Sequence, residues 1–128
     1  MADRRPAPKP ATRRTKSGSP YGYAWTEWLA EEDPEFMNAR KPVSMLSTGE
    51  GKELSVKYRE MVIIGILAFR GRLEGVTAHM RRAVEHGATK RELIEAIQAA
   101  SVPGGGPTLS TGVQGIMALD KAGAFKKR

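Results

Sequence analysis

The chain has 128 residues, the size of a single domain with one hydrophobic core. It contains no cysteine, which excludes disulfides, thiolate nucleophiles, iron–sulfur clusters and zinc–thiolate sites. The longest mostly apolar run, Met61 to Phe69, is far shorter than the ~20 residues that a membrane-spanning helix needs. Because the first residues also lack the apolar segment of a secretory signal, we expect a cytoplasmic protein with no membrane partner.

The net charge of +7 is concentrated at the N-terminus. Residues 1–20 hold six Lys or Arg side chains against one Asp, which is +5 of the total. This segment is also rich in proline and buries too little apolar surface to offset the entropy lost on ordering. We therefore predict a disordered basic tail over 1–20 and a helical domain over 21–128. Contact of the tail with nucleic acid is disfavoured, because no recognition pattern accompanies the charge.

The first elements of the domain are predicted from aromatic clustering and helix-start signals. Tyr21 to Glu31 holds four aromatic residues, so we expect a short helix or arm packed on the body or on a neighbouring subunit. Asp33 followed by Pro34 indicates an N-cap and the first position of a helix. That helix is expected to end before Pro42, and Ser47 to Glu53 is expected to be a loop.

A very apolar segment begins after Ser55 and continues through Phe69. Its apolar residues lie on nearly all sides of a helical wheel, which is typical of a central helix. The β-branched run Val62 to Ile64 is also compatible with a strand. The length of the segment and the helical patterns that follow it favour a helix.

Three further helices follow from periodicity and capping signals. Leu73 to His86 is amphipathic and is followed by Gly87, a common helix stop. Thr89 and Glu92 have the spacing of a capping box and begin the next helix. Pro103 to Pro107 breaks the chain, and a last helix is predicted from about Thr108. Its buried stripe is expected to contain Leu109, Val113, Ile116 and Met117.

Two ionisable residues lie on apolar helix faces and are candidates for chemistry. His79 lies beside the buried stripe of its helix, and an imidazole there can act as an acid or base near neutral pH. Glu60 lies among apolar residues of the preceding helix and could reach His79 if the two helices pack as antiparallel neighbours. The alternatives are a hydrogen-bonded core histidine and a solvent-exposed glutamate stabilised by the helix dipole. Residue pattern alone leaves both interpretations open.

Several short pieces of the chain match, in order and spacing, the core motif of one protein superfamily. The stretch from about Leu54 to Gly123 resembles the carboxymuconolactone decarboxylase and alkylhydroperoxidase D superfamily. The resemblance implies an all-α, alkylhydroperoxidase-D-like bundle of about five to six helices that forms a homo-oligomer, a trimer or a hexamer. The matching pieces are Lys57 to Met61, Ala78 to Ala83, Gly87 to Thr89, Glu92 to Ile94, and Gly106-Pro107.

The chain departs from the peroxidase branch of that superfamily. The redox motif of that branch is Cys-x-x-Cys-x-x-x-His with a Glu one helix earlier. Aligned on His79, the cysteine positions fall on Arg72 and Gly75, and the upstream Glu falls on Glu60. A thiol peroxidase is therefore excluded, because both thiols are missing.

The decarboxylase branch needs neither cysteine nor cofactor, and resemblance to it implies a carboxy-lyase acting on a small carboxylated metabolite such as a muconolactone. In that interpretation His79 is the general acid or base and Glu60 orients it. Arg72, Arg81 and Arg59 are candidate anchors for substrate carboxylates, because a planar guanidinium suits bidentate binding. No metal and no cofactor is expected. The alternative is a non-catalytic, ligand-binding or structural member of the same fold.

Overall fold

The computed structural model describes residues 17–126, and within that range the chain forms six helices and no strand. The predicted all-α class is confirmed. The predicted disordered tail covers residues 1–20, and most of it, residues 1–16, lies outside the described residues. The nucleic-acid contact considered for the tail lies outside them too. The helices are α1 (Ala24–Glu32), α2 (Pro34–Thr48), α3 (Val56–Phe69), α4 (Leu73–Glu85), α5 (Lys90–Gly104) and α6 (Gly106–Lys121).

Residues before the predicted domain boundary at Tyr21 already pack against the folded domain, beginning with Ser17. Ser17 is buried, and its backbone N–H donates a 2.9 Å hydrogen bond to Oε2 of Glu27. The Ser17 hydroxyl lies 3.3 Å from the hydroxyl of Thr26, which is also buried. Side chains of α1 thus satisfy polar groups of the segment that leads into it.

Helix α2 begins as predicted but continues beyond the predicted end. Asp33 is its N-cap and accepts a 3.1 Å hydrogen bond from the backbone N–H of Phe36. The expectation that it ends before Pro42 was wrong, because α2 runs to Thr48 with Pro42 inside it. A proline leaves the carbonyl four residues earlier without its usual donor. Here that carbonyl belongs to exposed Asn38, so water can supply the missing hydrogen bond. The following loop therefore starts two residues later than predicted.

Helices α3 to α6 pack against one another and form the core. Helix α3 contacts α2, α4, α5 and α6, which confirms its central position. Its outer face, however, leaves Val62, Ile66 and Phe69 more than half exposed. The largest buried apolar side chains of the bundle are Ile64, Val76, Met80, Leu93, Ile97 and Leu119.

The predicted buried stripe of α6 was largely wrong. Of its four residues only Ile116 is buried, whereas Met117 is 62% exposed and Leu109 and Val113 are about 40% exposed. A Cβ atom at Gly112 would clash with Ile97, and one at Gly115 would clash with Val76. Glycines thus let α6 approach its neighbours closely, and hydrophobic periodicity does not register such a face.

The ends of α4 and α5 follow the predicted signals. Gly87 ends α4 with a φ of +97°, and Thr89 and Glu92 form the predicted capping box at the start of α5. The break before α6 is narrower than predicted and is centred on Gly105, whose φ of +84° suits glycine. None of the helices within residues 17–126 is long and apolar enough to cross a membrane.

Candidate active site

Helices α3 and α4 bring Glu60 and His79 into direct contact. The turn that joins the two helices is only three residues long, so α4 runs back along α3. Glu60, in the second turn of α3, has no exposed surface, and His79 is 8% exposed. Oε2 of Glu60 lies 2.9 Å from Nδ1 of His79. The two residues that the sequence singled out therefore form one buried pair.

Tyr21 is a third member of this cluster and comes from the segment before α1. Its hydroxyl donates a 2.8 Å hydrogen bond to Oε1 of Glu60. Its ring lies over the imidazole of His79, with 3.9 Å between ring centroids and 34° between planes. Burial, followed by the charge and hydrogen bond of Glu60, raises the pKa of Tyr21 above its usual 10.0. Tyr21 therefore remains a neutral phenol whose O–H donates a hydrogen bond to the carboxylate.

Arg82 completes the cluster from one turn beyond His79 on α4. Its Nη1 atom donates to the backbone carbonyl of Thr48 at 2.6 Å and lies 3.6 Å from Oε1 of Glu60. Its guanidinium also lies 5.7 Å from the centroid of the Tyr21 ring. Only 14% of the Arg82 side chain is exposed. Arg82 therefore belongs to the buried cluster, and its charge compensates the buried carboxylate.

These contacts determine which nitrogen of His79 is available for chemistry. An ionised carboxylate only accepts hydrogen bonds, so the Nδ1–H of His79 donates to Glu60. Nε2 is then the nitrogen that remains to exchange a proton. A histidine whose tautomer is fixed by a carboxylate is the usual arrangement for general acid–base catalysis.

A cavity of about 310 Å³ adjoins His79. It lies between α2 and the segment 17–26, which includes Tyr21, and Ile63 of α3 lines it too. This volume is at the lower end of the range, roughly 300–1,000 Å³, of small-molecule sites. A ligand with about the size of a single substituted ring would fit beside the imidazole.

Comparisons with known proteins agree with this architecture. Residues 34–114 match the model of the carboxymuconolactone decarboxylase family. The chain belongs to this family. It is also similar to a crystal structure from Burkholderia xenovorans LB400, described as a "putative carboxymuconolactone decarboxylase", with 26% identity and a TM-score of 0.66. That similarity covers 79% of this chain and 81% of the other. The comparison with curated proteins gave no significant match.

The family match includes only part of the cluster. Glu60, His79 and Arg82 lie inside the matched range, whereas Tyr21 precedes it. The segment 17–26, which forms one wall of the cavity, also precedes it. The site thus combines residues inside the matched range with a wall that precedes it.

The three arginines predicted as carboxylate anchors do not join the cluster. Arg59 donates a 2.8 Å hydrogen bond to the carbonyl of Gly49, and Arg72 and Arg81 are exposed. Within residues 17–126, none of them has a hydrogen bond or an ion pair to Glu60 or His79. None of them lines the cavity that adjoins His79 either. Their role in substrate binding stays a prediction without geometric support.

Sequence reasoning missed Tyr21 and Arg82 for different reasons. Arg82 follows His79 at a spacing of three, so helical geometry could have indicated a shared face. Tyr21 was recognised only as part of an aromatic cluster, since nothing local connects it with a carboxylate 39 residues later. Within the described residues, no group of three or more His, Cys, Asp or Glu side chains is arranged to hold a metal ion.

Proposed function

We propose that the protein is a cofactor-independent carboxy-lyase, or a related proton-transfer enzyme, that acts on a small carboxylated metabolite such as a muconolactone. The observation that carries this proposal is the pair formed by His79 and Glu60. The buried carboxylate holds Nδ1 of the imidazole, and the same imidazole lines a cavity of small-molecule size. Membership of the carboxymuconolactone decarboxylase family supports the class of reaction.

The proposed reaction needs only proton transfer and charge stabilisation. The bond between the substrate carbon and its carboxylate breaks, CO2 leaves, and the electron pair remains on the carbon. An adjacent unsaturated carbonyl group delocalises that pair. The Nε2–H of His79 then delivers a proton to the carbon, and the imidazole takes up a proton from water to begin the next cycle. Glu60 keeps the ring oriented throughout.

The test is CO2 release from 4-carboxymuconolactone by wild type and by a His79→Gln variant. The chain has one other histidine, the half-buried His86 on the C-terminal side of α4, so His86→Gln is a matched control. We expect the His79 variant to lose about 100-fold or more in turnover, which is the usual contribution of a general acid. The control should keep turnover within about twofold. Equal activity of wild type and His79→Gln would remove His79 from the mechanism.

A second candidate function is non-catalytic binding of a small ligand, with the cluster acting as a structural element. The observation that favours it is the coverage of the imidazole, since the Tyr21 ring lies 3.9 Å away and His79 is 8% exposed. In that case His79→Gln lowers the melting temperature, and neither wild type nor the variant releases CO2. A catalytic His79 instead gives a folded but inactive variant.

We also propose that the protein is a homo-oligomer, a trimer or a hexamer. A groove between α3 and α5 is lined almost entirely by apolar residues, and Ile66 and Phe69 in it are more than half exposed. Exposed apolar surface of this kind marks an interface more often than free surface. The cytoplasmic location expected from the sequence stays a prediction.

Light scattering coupled to size exclusion tests the assembly. Wild type should elute as a multiple of 14.0 kDa, and Ile66→Arg should shift it toward the monomer because it places a charge in the groove. Arg91→Gln, on an exposed part of α5, is the control and should leave the mass unchanged. A 14.0 kDa wild-type species at micromolar concentration would contradict the proposal.

A further inference from the structure

Two cationic residues of α2, Arg40 and Lys41, line the cavity that adjoins His79. Neither forms an ion pair with a carboxylate among residues 17–126. No Asp or Glu lines the cavity within the same range. Among the described residues, the cavity therefore has two positive charges without a carboxylate partner, and His79 lines the same cavity. Such a charge distribution favours an anionic ligand.

Both side chains are supported by the segment that precedes α2. The guanidinium carbon of Arg40 lies 5.6 Å from the centroid of the Trp25 ring, a cation–π distance. The stem of Lys41 lies against the backbone of Gly18, where a Cβ atom would be 2.6 Å from Cε of the lysine. Contacts that restrict long side chains lower the entropy cost of binding a ligand with them.

The remaining walls of the cavity favour a flat ligand. Tyr21, Tyr23 and Trp25 line it, and their rings form a series with centroid separations of 5.9 Å and 6.4 Å and interplanar angles of 28° and 15°. Successive aromatic faces stack on planar, conjugated groups. The volume of about 310 Å³ limits such a group to roughly one ring with its substituents.

We propose that this cavity binds a planar, conjugated carboxylate whose carboxylate group is held by Arg40 and Lys41. The unsaturated body of the ligand packs on the aromatic series, and its reacting carbon faces His79. This inference rests on the proposed function for the chemical step and adds the ligand class and the anchoring residues. In this proposal Arg40 and Lys41 take the anchoring role that the sequence suggested for Arg59, Arg72 and Arg81, none of which lines the cavity.

The test is calorimetric titration with isophthalate, a flat ring that carries two carboxylates. Isophthalamide, which has the same shape without charge, is the control ligand. We expect wild type to bind isophthalate at least tenfold more tightly than the diamide. Arg40→Gln and Lys41→Gln should each weaken isophthalate binding about tenfold, and the double variant about 100-fold, because each removes a charge-assisted hydrogen bond.

Matched controls are Arg91→Gln on α5 and Lys121→Gln at the end of α6, both of which remove an exposed charge away from the cavity. Their affinity should stay within twofold of wild type, and all variants should keep the wild-type melting temperature. The inference is overturned if wild type does not bind isophthalate, if it binds the diamide equally well, or if the α2 variants bind like the controls.

Binding and turnover fail separately in this design. If the α2 variants lose affinity while wild type does not decarboxylate 4-carboxymuconolactone, the ligand site holds and the proposed reaction fails. If wild type is active but the α2 variants bind isophthalate normally, the reaction holds and these anchors are wrong.

Discussion

Two glutamates of this protein have similar ion pairs in very different surroundings. Glu60 lies 2.9 Å from Nδ1 of His79 and has no exposed surface. Glu92 lies 2.9 Å from Nζ of Lys57, but 30% of its side chain is exposed. If Lys57 is lost, water can solvate the carboxylate of Glu92. Water cannot reach the carboxylate of Glu60. The contact distance is the same, and burial determines what each pair contributes.

The two clusters also differ in how they are assembled. Glu60 contacts Tyr21 from the segment before α1, and His79 and Arg82 from α4. Glu92 forms a capping box with Thr89, three residues earlier, and adds Lys57 of α3. A cluster built from distant segments exists only in the folded protein, so loss of its central carboxylate should lower the stability of the whole bundle. A capping box forms within one turn and should affect mainly the start of α5.

The largest expected effect comes from removing the buried carboxylate. Glu60→Ala leaves the Tyr21 hydroxyl and Nδ1 of His79 without their hydrogen-bond partner and Arg82 without its buried counterion. The free energy of unfolding should therefore fall by roughly 3–5 kcal/mol. Urea denaturation at neutral pH measures it. The control is Glu95→Ala on an exposed part of α5, which should change stability by less than about 0.5 kcal/mol. Similar losses in both variants would mean that the burial of Glu60 has no energetic consequence.

Adjacent arginines on α4 offer the next test. Arg82→Ala removes the hydrogen bond to Thr48 and the charge that faces Glu60, so we expect a loss of about 2–3 kcal/mol. Arg81→Ala, one residue earlier and exposed, should change stability by less than about 0.5 kcal/mol. Thermal unfolding of the two variants measures the difference. If the two midpoints fall equally, the contact of Arg82 with the buried cluster contributes nothing.

A smaller effect is expected for Tyr21→Phe, which keeps the ring over His79 and removes only the hydroxyl. Loss of the hydrogen bond to Glu60 should cost about 1–2 kcal/mol. Tyr58→Phe on α3, where the side chain is 43% exposed, is the control with the same change of atoms. Chemical denaturation of both variants compares them. A Tyr21 variant as stable as the control would show that Arg82 and His79 alone satisfy the carboxylate.

The smallest effect is expected at the partly exposed pair of Lys57 and Glu92. Burial acts to raise the pKa of Glu92, but hydrogen bonds from Lys57 and Thr89 outweigh it and hold the pKa below its usual 4.5. The unfolded state therefore binds more protons, so this contribution is present above pH 4.5 and is lost as pH falls through the folded pKa. Glu92→Gln should cost about 1 kcal/mol or less at pH 7.

The same comparison at low pH checks the sign. The stability difference between wild type and Glu92→Gln should shrink as the pH falls below 4.5, measured by urea denaturation across the range. High salt at pH 7 should also reduce it, because the pair is accessible to ions. A difference that grows on acidification would contradict the assigned direction.

The elements that were predicted correctly are those with local signals. Asp33 with Pro34, and Thr89 with Glu92, mark helix starts within a few residues, and Gly87 marks a helix end. The elements that were predicted wrongly depend on their surroundings. Pro42 is tolerated inside α2 because the unpaired carbonyl lies at the surface, which no local pattern indicates. The buried face of α6 consists partly of glycines, whose contribution is close approach rather than apolar area.

For the candidate site, the sequence identified two side chains and the fold supplied the others. Glu60 and His79 could be singled out because an ionisable residue on an apolar helix face is costly and therefore informative. Arg40 and Lys41 carry no such signal, since each is typical of exposed segments. Tyr21 was expected to pack only as one member of an aromatic cluster. Only the packing of the segment 17–26 and of α2 against the bundle places them around the cavity that His79 lines.

The sequence by itself determined the helical class, most helix starts, the absence of thiol chemistry and the choice of Glu60 and His79 as candidate residues. These follow from composition, from capping geometry and from periodicity, all of which act over a few residues. Only the tertiary structure decided that Arg82 and Tyr21 enclose the pair and that Arg40 and Lys41 line the cavity beside it. Such contacts join residues that are distant in the chain, and their free energy depends on burial, which exists only once the helices have packed.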